Sequence, residues 1–77
     1  MPQSAKVFAE KLNNCLDETG APAQIRERAA ILSKMLDISK QQAWSLLEGQ
    51  QVPEKPLLEK IASEFDVDLH WLSNEKH

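Results

Sequence analysis

Apolar residues recur at helical spacing along most of this chain, and polar breaks divide them into five runs. In the first run Phe8, Leu12, Cys15 and Leu16 share one stripe, with Val7 beside it. This predicts a helix over about 4–18, capped by Ser4 and ended by Thr19-Gly20. The second stripe holds Ile25, Ala29, Leu32 and Leu36. Pro22 suits the first turn of a helix, so this element is predicted over about 22–36. Asp37 follows it, at a position where a positive φ often closes a helix; Asp tolerates that conformation better than most side chains.

A third helix is predicted over about 40–48, with Ala43, Leu46 and Leu47 inward and Gly49 as its stop. Ser39 is placed as its N-cap, and Gln42, three residues on, completes a capping box. The fourth spans about 55–65, with Leu57 or Leu58, Ile61, Ala62 and Phe65 inward. Pro53 blocks any continuation from the third helix, while Pro56 falls in the first turn of the fourth, where amides lack partners anyway. Asp66-Val67-Asp68 reads as a turn, with Asp68 capping a last helix over 69–73. Trp71 and Leu72 are expected to close the core, and the tail from Asn74 to fray. The whole is an all-α, compact five-helix bundle: a single domain over 1–77, with its core at about 4–73 and a helix-turn-helix formed by helices 2 and 3.

Composition narrows the class. A length of 77 residues supports one modest core, too little for a reading module plus a ligand-sensing domain. The single Cys15 excludes an internal disulfide framework, and its place on a core stripe makes it a packing residue. The first residues lack the basic-then-apolar pattern of a secretion signal, and no apolar run approaches the length of a membrane span. A cytoplasmic location without membrane contact is the expectation. The net charge is −3, unevenly spread. Arg26, Arg28, Lys34 and Lys40 outnumber Glu27, Asp37 and Glu48 over 21–49, while both flanking segments are acidic. The only positive segment therefore contains the third helix, a distribution that suits an anionic partner.

No catalytic constellation is present: no glycine-rich phosphate loop, no Cys/His metal set, no nucleophile with a base. Asp66 and Asp68 are better explained as turn and cap residues than as paired acids. His70 and His77 lack ligand partners at metal spacing and are read as surface residues. The expectation is a protein that is not an enzyme, with no cofactor, metal or small-molecule ligand.

Several short segments lie in register with one family. Phe8-Ala9-Glu10-Lys11-Leu12, Leu36-Asp37-Ile38-Ser39, Leu46-Leu47-Glu48-Gly49 with Pro53, and Ile61-Ala62 through Phe65–Leu72 resemble the lambda-repressor-like (Cro and repressor type) helix-turn-helix domains. The resemblance covers roughly 7–73. Asp37 stands where the family usually has a turn glycine, and Ser33 where it usually has alanine. Ala29 replaces a glutamine that touches a phosphate in many members. The link between helices 1 and 2 is longer than the family minimum and is similar to that of a subgroup of phage-repressor-like regulators. That subgroup often carries basic residues where this chain has Trp44 and Ser45.

The resemblance implies a transcription regulator, such as a repressor, that binds double-stranded DNA as a homodimer on a palindromic operator. Lys40, Gln41, Trp44 and Ser45 would then face the bases from helix 3. Gln41 suits paired bonds to adenine, and Lys40 reaches guanine or a phosphate; Ser45 bonds several bases, and Trp44 packs on a thymine methyl group or a sugar. Arg28, Ser39, Gln51 and Lys55 are the expected phosphate contacts, Ser39 and Gln51 through nearby backbone amides. Blander readings stand beside these. Gln41 and Gln42 also fit a solvated helix face, and Arg28 also fits an ion pair with nearby acids. Trp44 also fits a dimer or partner interface, which would make the chain a protein-interaction module on the same fold.

Overall fold

In the computed structural model, which describes residues 5–73, each apolar stripe becomes the inner face of one helix. The elements are α1 (Ala5–Glu18), α2 (Ile25–Leu36), α3 (Lys40–Leu47), α4 (Lys55–Phe65) and α5 (Leu69–Ser73). There is no strand among the described residues. The expectations on Ser4, His77 and the tail from Asn74 lie outside the described residues.

The core takes Phe8, Leu12 and Leu16 from α1, Leu32 and Leu36 from α2, and Leu46 from α3, all buried. Ile61 of α4 and Leu72 of α5 complete it, each fully buried. Leu58 rather than Leu57 is the buried member of its pair, while Ile25 and Phe65 pack against the core with part of their surface exposed. Cys15 is buried on the α1 stripe.

Two tight turns are built alike, and both use aspartate where a glycine would be easiest. Asp37 ends α2 with φ 59°, and Asp66 ends α4 with φ 56°. In each case the next amide reaches back five residues: Ile38 donates to the Ser33 carbonyl at 3.1 Å and Val67 to the Ala62 carbonyl at 3.0 Å. That closes the orphan carbonyls at the helix end. Each turn then starts the following helix with a side-chain cap. Ser39 Oγ accepts from the Gln42 amide at 3.0 Å, and Asp68 Oδ1 accepts from the His70 amide at 2.8 Å. Lys60 of α4 adds a bond from Nζ to the Leu36 carbonyl at 3.2 Å, tying α4 to the end of α2. This places a cation where the helix dipole favours one.

Gly49, at φ 76°, closes α3 one residue after the helix-like Glu48, so α3 ends at Leu47 rather than 48. The Gln50 amide then donates back to the Ser45 carbonyl at 3.0 Å. A Cβ at Gly49 would sit 3.1 Å from the Lys6 backbone, which is why α1 can pass so close to this turn.

Two expectations are corrected. The second helix begins at Ile25, not at Pro22. The Pro22 carbonyl accepts from Arg28 Nε at 2.6 Å, and the extended Gln24, at ψ 130°, is the N-cap, so residues 22–24 lie before the helix. Trp71 is not core; it is 42 % exposed. In so short a helix the inward side is taken by Leu72, with Leu69 three residues before it packed on the core, and the neighbouring Trp71 is turned outward. Its ring lies 5.3 Å from the Lys11 ammonium of α1, within cation–π range.

Candidate nucleic-acid interface

The outer face of α3 is set by its inner one. With Ala43, Leu46 and Leu47 buried, Lys40, Gln41, Trp44 and Ser45 fall on the remaining helix surface. Gln41 and Trp44 are three residues apart, as are Gln42 and Ser45, while Lys40 and Trp44 are four apart, so these side chains are neighbours. Lys40 and Gln41 are exposed, and Trp44 and Ser45 are half-buried. All four line one open groove of about 590 Å³ between α2 and α3.

The other wall belongs to α2. Ala29 and Ala30 supply its apolar part, and Arg26 and Glu27 its charged part. Ala29 is buried and cannot substitute for a phosphate-binding glutamine; its small side chain contributes to the apolar wall opposite α3. Ser33, one turn further along, bonds its own helix from Oγ to the Ala30 carbonyl at 2.9 Å and so fits without an unpaired hydroxyl. Trp44 packs part of its ring on the core and exposes the rest to the groove. Gln50, from the turn after α3, also lines the groove.

The sequence-predicted phosphate contacts do not form one set. Arg28 is removed from it, because its side chain is buried, at 6 % exposure, and spent on internal bonds. One Nη donates to Asn13 Oδ1 at 2.8 Å and to the Asn13 carbonyl at 3.3 Å; the other pairs with Asp17. With Nε on Pro22, four of the five guanidinium N–H donors are engaged in holding the long link between α1 and α2. Ser39 Oγ accepts the cap bond from the Gln42 amide, which leaves its hydroxyl proton and the backbone amides at the start of α3 as donors near that residue. Lys55 is exposed at the first turn of α4, and Gln51 is exposed in the loop before it.

Arg26 is the cation that sequence reasoning missed. It sits in the first turn of α2, exposed, and shares the groove with Lys40. Its signal was present in the alternation Arg26, Glu27, Arg28: the inward Ala29 and Leu32 fix the helix phase, which turns Arg26 to the α3 side and Arg28 toward α1. Asn13 was missed as well. Its Nδ2 donates to the Ala9 carbonyl at 2.9 Å and to the Leu47 carbonyl of α3 at 3.4 Å, so it joins three helices.

No family model, curated protein or solved structure matches the chain in comparison.

Proposed function

We propose that this chain is a sequence-specific DNA-binding transcription regulator that reads the major groove with α3. The observation that carries the reading is the convergence of Lys40, Gln41, Trp44 and Ser45 on one groove, with Arg26 opposite. A cation, an amide, a hydroxyl and an apolar ring on α3, with a second cation on the α2 wall, match what base edges and phosphates require. The lambda-repressor-like resemblance over roughly 7–73 supports the same docking. A module of this size contacts few bases, so the proposal includes a homodimer on a palindromic operator, with half-sites about one helical turn apart.

Selection of duplexes from a random pool tests it. Wild-type protein is expected to enrich a two-fold symmetric site, and Gln41→Ala to weaken that site by about 1–3 kcal/mol and relax one base position per half-site. Lys55→Ala is expected to weaken all duplexes alike and flatten the salt slope. Enrichment of no site, or a Gln41→Ala variant with unchanged affinity and preference, overturns the proposal.

The half-buried Trp44 and the withdrawal of Arg28 favour one second reading, a protein-interaction module on the same fold. In that case Trp44→Glu abolishes a protein complex, and duplex DNA is bound weakly at all salt concentrations. Partner binding retained in that variant excludes it.

A further inference from the structure

The last four carbonyls of a helix have no partner within it, and in α3, with eight residues, they are half the helix. The Trp44 and Ser45 carbonyls accept from the Glu48 and Gln50 amides at 3.0 Å, and the Leu46 carbonyl from the Gly49 amide at 3.4 Å. The Leu47 carbonyl accepts from Asn13 Nδ2 of α1, also at 3.4 Å. The final carbonyl of the helix is thus held from outside the helix-turn-helix.

The site needs an acceptor at one end and a donor at the other. Asn13 Oδ1 accepts from Arg28 Nη1 at 2.8 Å, while Nδ2 donates to the Ala9 and Leu47 carbonyls. Aspartate supplies only the acceptor, and alanine supplies neither. Two turns earlier on α1, the Lys6 backbone backs Gly49 so closely that a Cβ there would lie 3.1 Å away. α1 therefore meets the C-terminal end of α3 at two points, while the Asp37 turn and the Ser39 cap hold its start.

We infer that Asn13 is a positioning residue that sets the base preference of α3 without touching DNA. The inference rests on the DNA-reading proposal and adds a determinant on α1. Paired hydrogen bonds to a base edge tolerate a displacement of only about half an ångström. Attraction to phosphates is long-ranged and tolerates more. Loosening the end of α3 therefore lowers discrimination between duplexes more than it lowers affinity for DNA in general.

Asn13→Asp tests this. It keeps the acceptor for Arg28 and turns a carboxylate oxygen, in place of the donor, toward the Ala9 and Leu47 carbonyls. Each protein is titrated with the selected duplex and with the same duplex changed at the base pair whose preference Gln41→Ala relaxes. The readout is the ratio of the two affinities, which does not depend on the fraction folded. Wild type is expected to discriminate roughly five- to hundred-fold, and Asn13→Asp at least about three-fold less. Asn13→Ala should lose discrimination as well, and gives the reading if the aspartate variant does not fold. Gly20→Ala is the stability control: it strains the link between α1 and α2, its Cβ meets nothing within 4 Å, and it should keep the wild-type ratio. An unchanged ratio in the folded Asn13 variants overturns the inference while DNA reading stands. An equal fall in Gly20→Ala also overturns it, because preference would then follow stability. If wild type selects no duplex, both fail together.

Discussion

Arg28 of α2 donates to Asn13 Oδ1 of α1 at 2.8 Å, and the same asparagine reaches the Leu47 carbonyl of α3 at 3.4 Å. A cation in the helix-turn-helix thus serves the frame that positions α3 rather than its outer surface.

Arg28→Met is expected to destabilise the fold by about 1.5–3 kcal/mol, the range for hydrogen bonds to a charged group. The cost stays below that of a fully buried pair because the Asp17 side chain is 60 % exposed and is rehydrated when its partner goes. Urea unfolding measures the loss. In DNA titrations of the folded variant the salt slope is expected to remain that of wild type, since the buried Arg28 guanidinium is spent on internal bonds; a flatter slope would return it to the proposed interface.

The two glycines should respond differently to alanine. Both have positive φ, Gly20 at 82° and Gly49 at 76°. At Gly20 an added Cβ meets nothing within 4 Å, so only backbone strain of about 1–2 kcal/mol applies. At Gly49 the same Cβ lies 3.1 Å from Lys6 Cα and 3.3 Å from its Cγ. Gly49→Ala should therefore be the more destabilising in thermal or urea unfolding. Equal losses would mean that the close approach of α1 is readily relieved.

Ser39→Ala removes the acceptor for the Gln42 amide and should cost about 1 kcal/mol in unfolding free energy. Ser39→Asp keeps an acceptor, adds a favourable charge at the helix N-terminus and should retain the stability. It also places a negative charge beside the proposed phosphate path, so DNA affinity should fall while stability does not. A parallel fall of both would undo that separation.

Burial pushes the Cys15 thiol above its usual pKa, and the Glu18 carboxylate adds to the shift. The folded chain therefore keeps the thiol proton at a pH where the unfolded chain has released it. The associated stability is complete below the unfolded thiol pKa of about 8.5 and is lost as pH rises through the folded value. Urea unfolding between neutral and alkaline pH should show a steeper loss for wild type than for Cys15→Ala. Parallel profiles would show that the thiol has the same proton affinity in both states.

Most of the fold was legible because periodicity reports burial directly. Phe8, Leu12, Leu16, Leu32, Leu36, Leu46 and Ile61 all lie where their spacing placed them. The turns were legible through Asp37 and Ser39, whose preferences are local. Trp71 was expected in the core beside Leu72, whereas in the short α5 the inward side is taken by Leu72 and Leu69 and the residue next to Leu72 turns outward. Arg28 and Arg26 look alike in sequence. Their separation depends on which neighbouring helix each one meets, and that is set by the tertiary link through Asn13, Asp17 and Pro22. The groove itself needed both helices, since Ala29 and Ala30 acquire meaning only opposite Trp44.

The exposed position of Trp71 makes the central claim measurable with little risk to the core. In a Trp71→Phe variant, Trp44 is the one remaining tryptophan and reports directly on the proposed reading face. The folded variant is titrated with random-sequence and selected duplexes at roughly 50 and 200 mM salt. The account predicts a change in Trp44 emission with both duplexes at the lower salt, with the selected duplex binding more tightly and the random duplex losing its signal first as salt rises. Unchanged emission at both salt concentrations, in protein shown to be folded, would contradict DNA reading by α3.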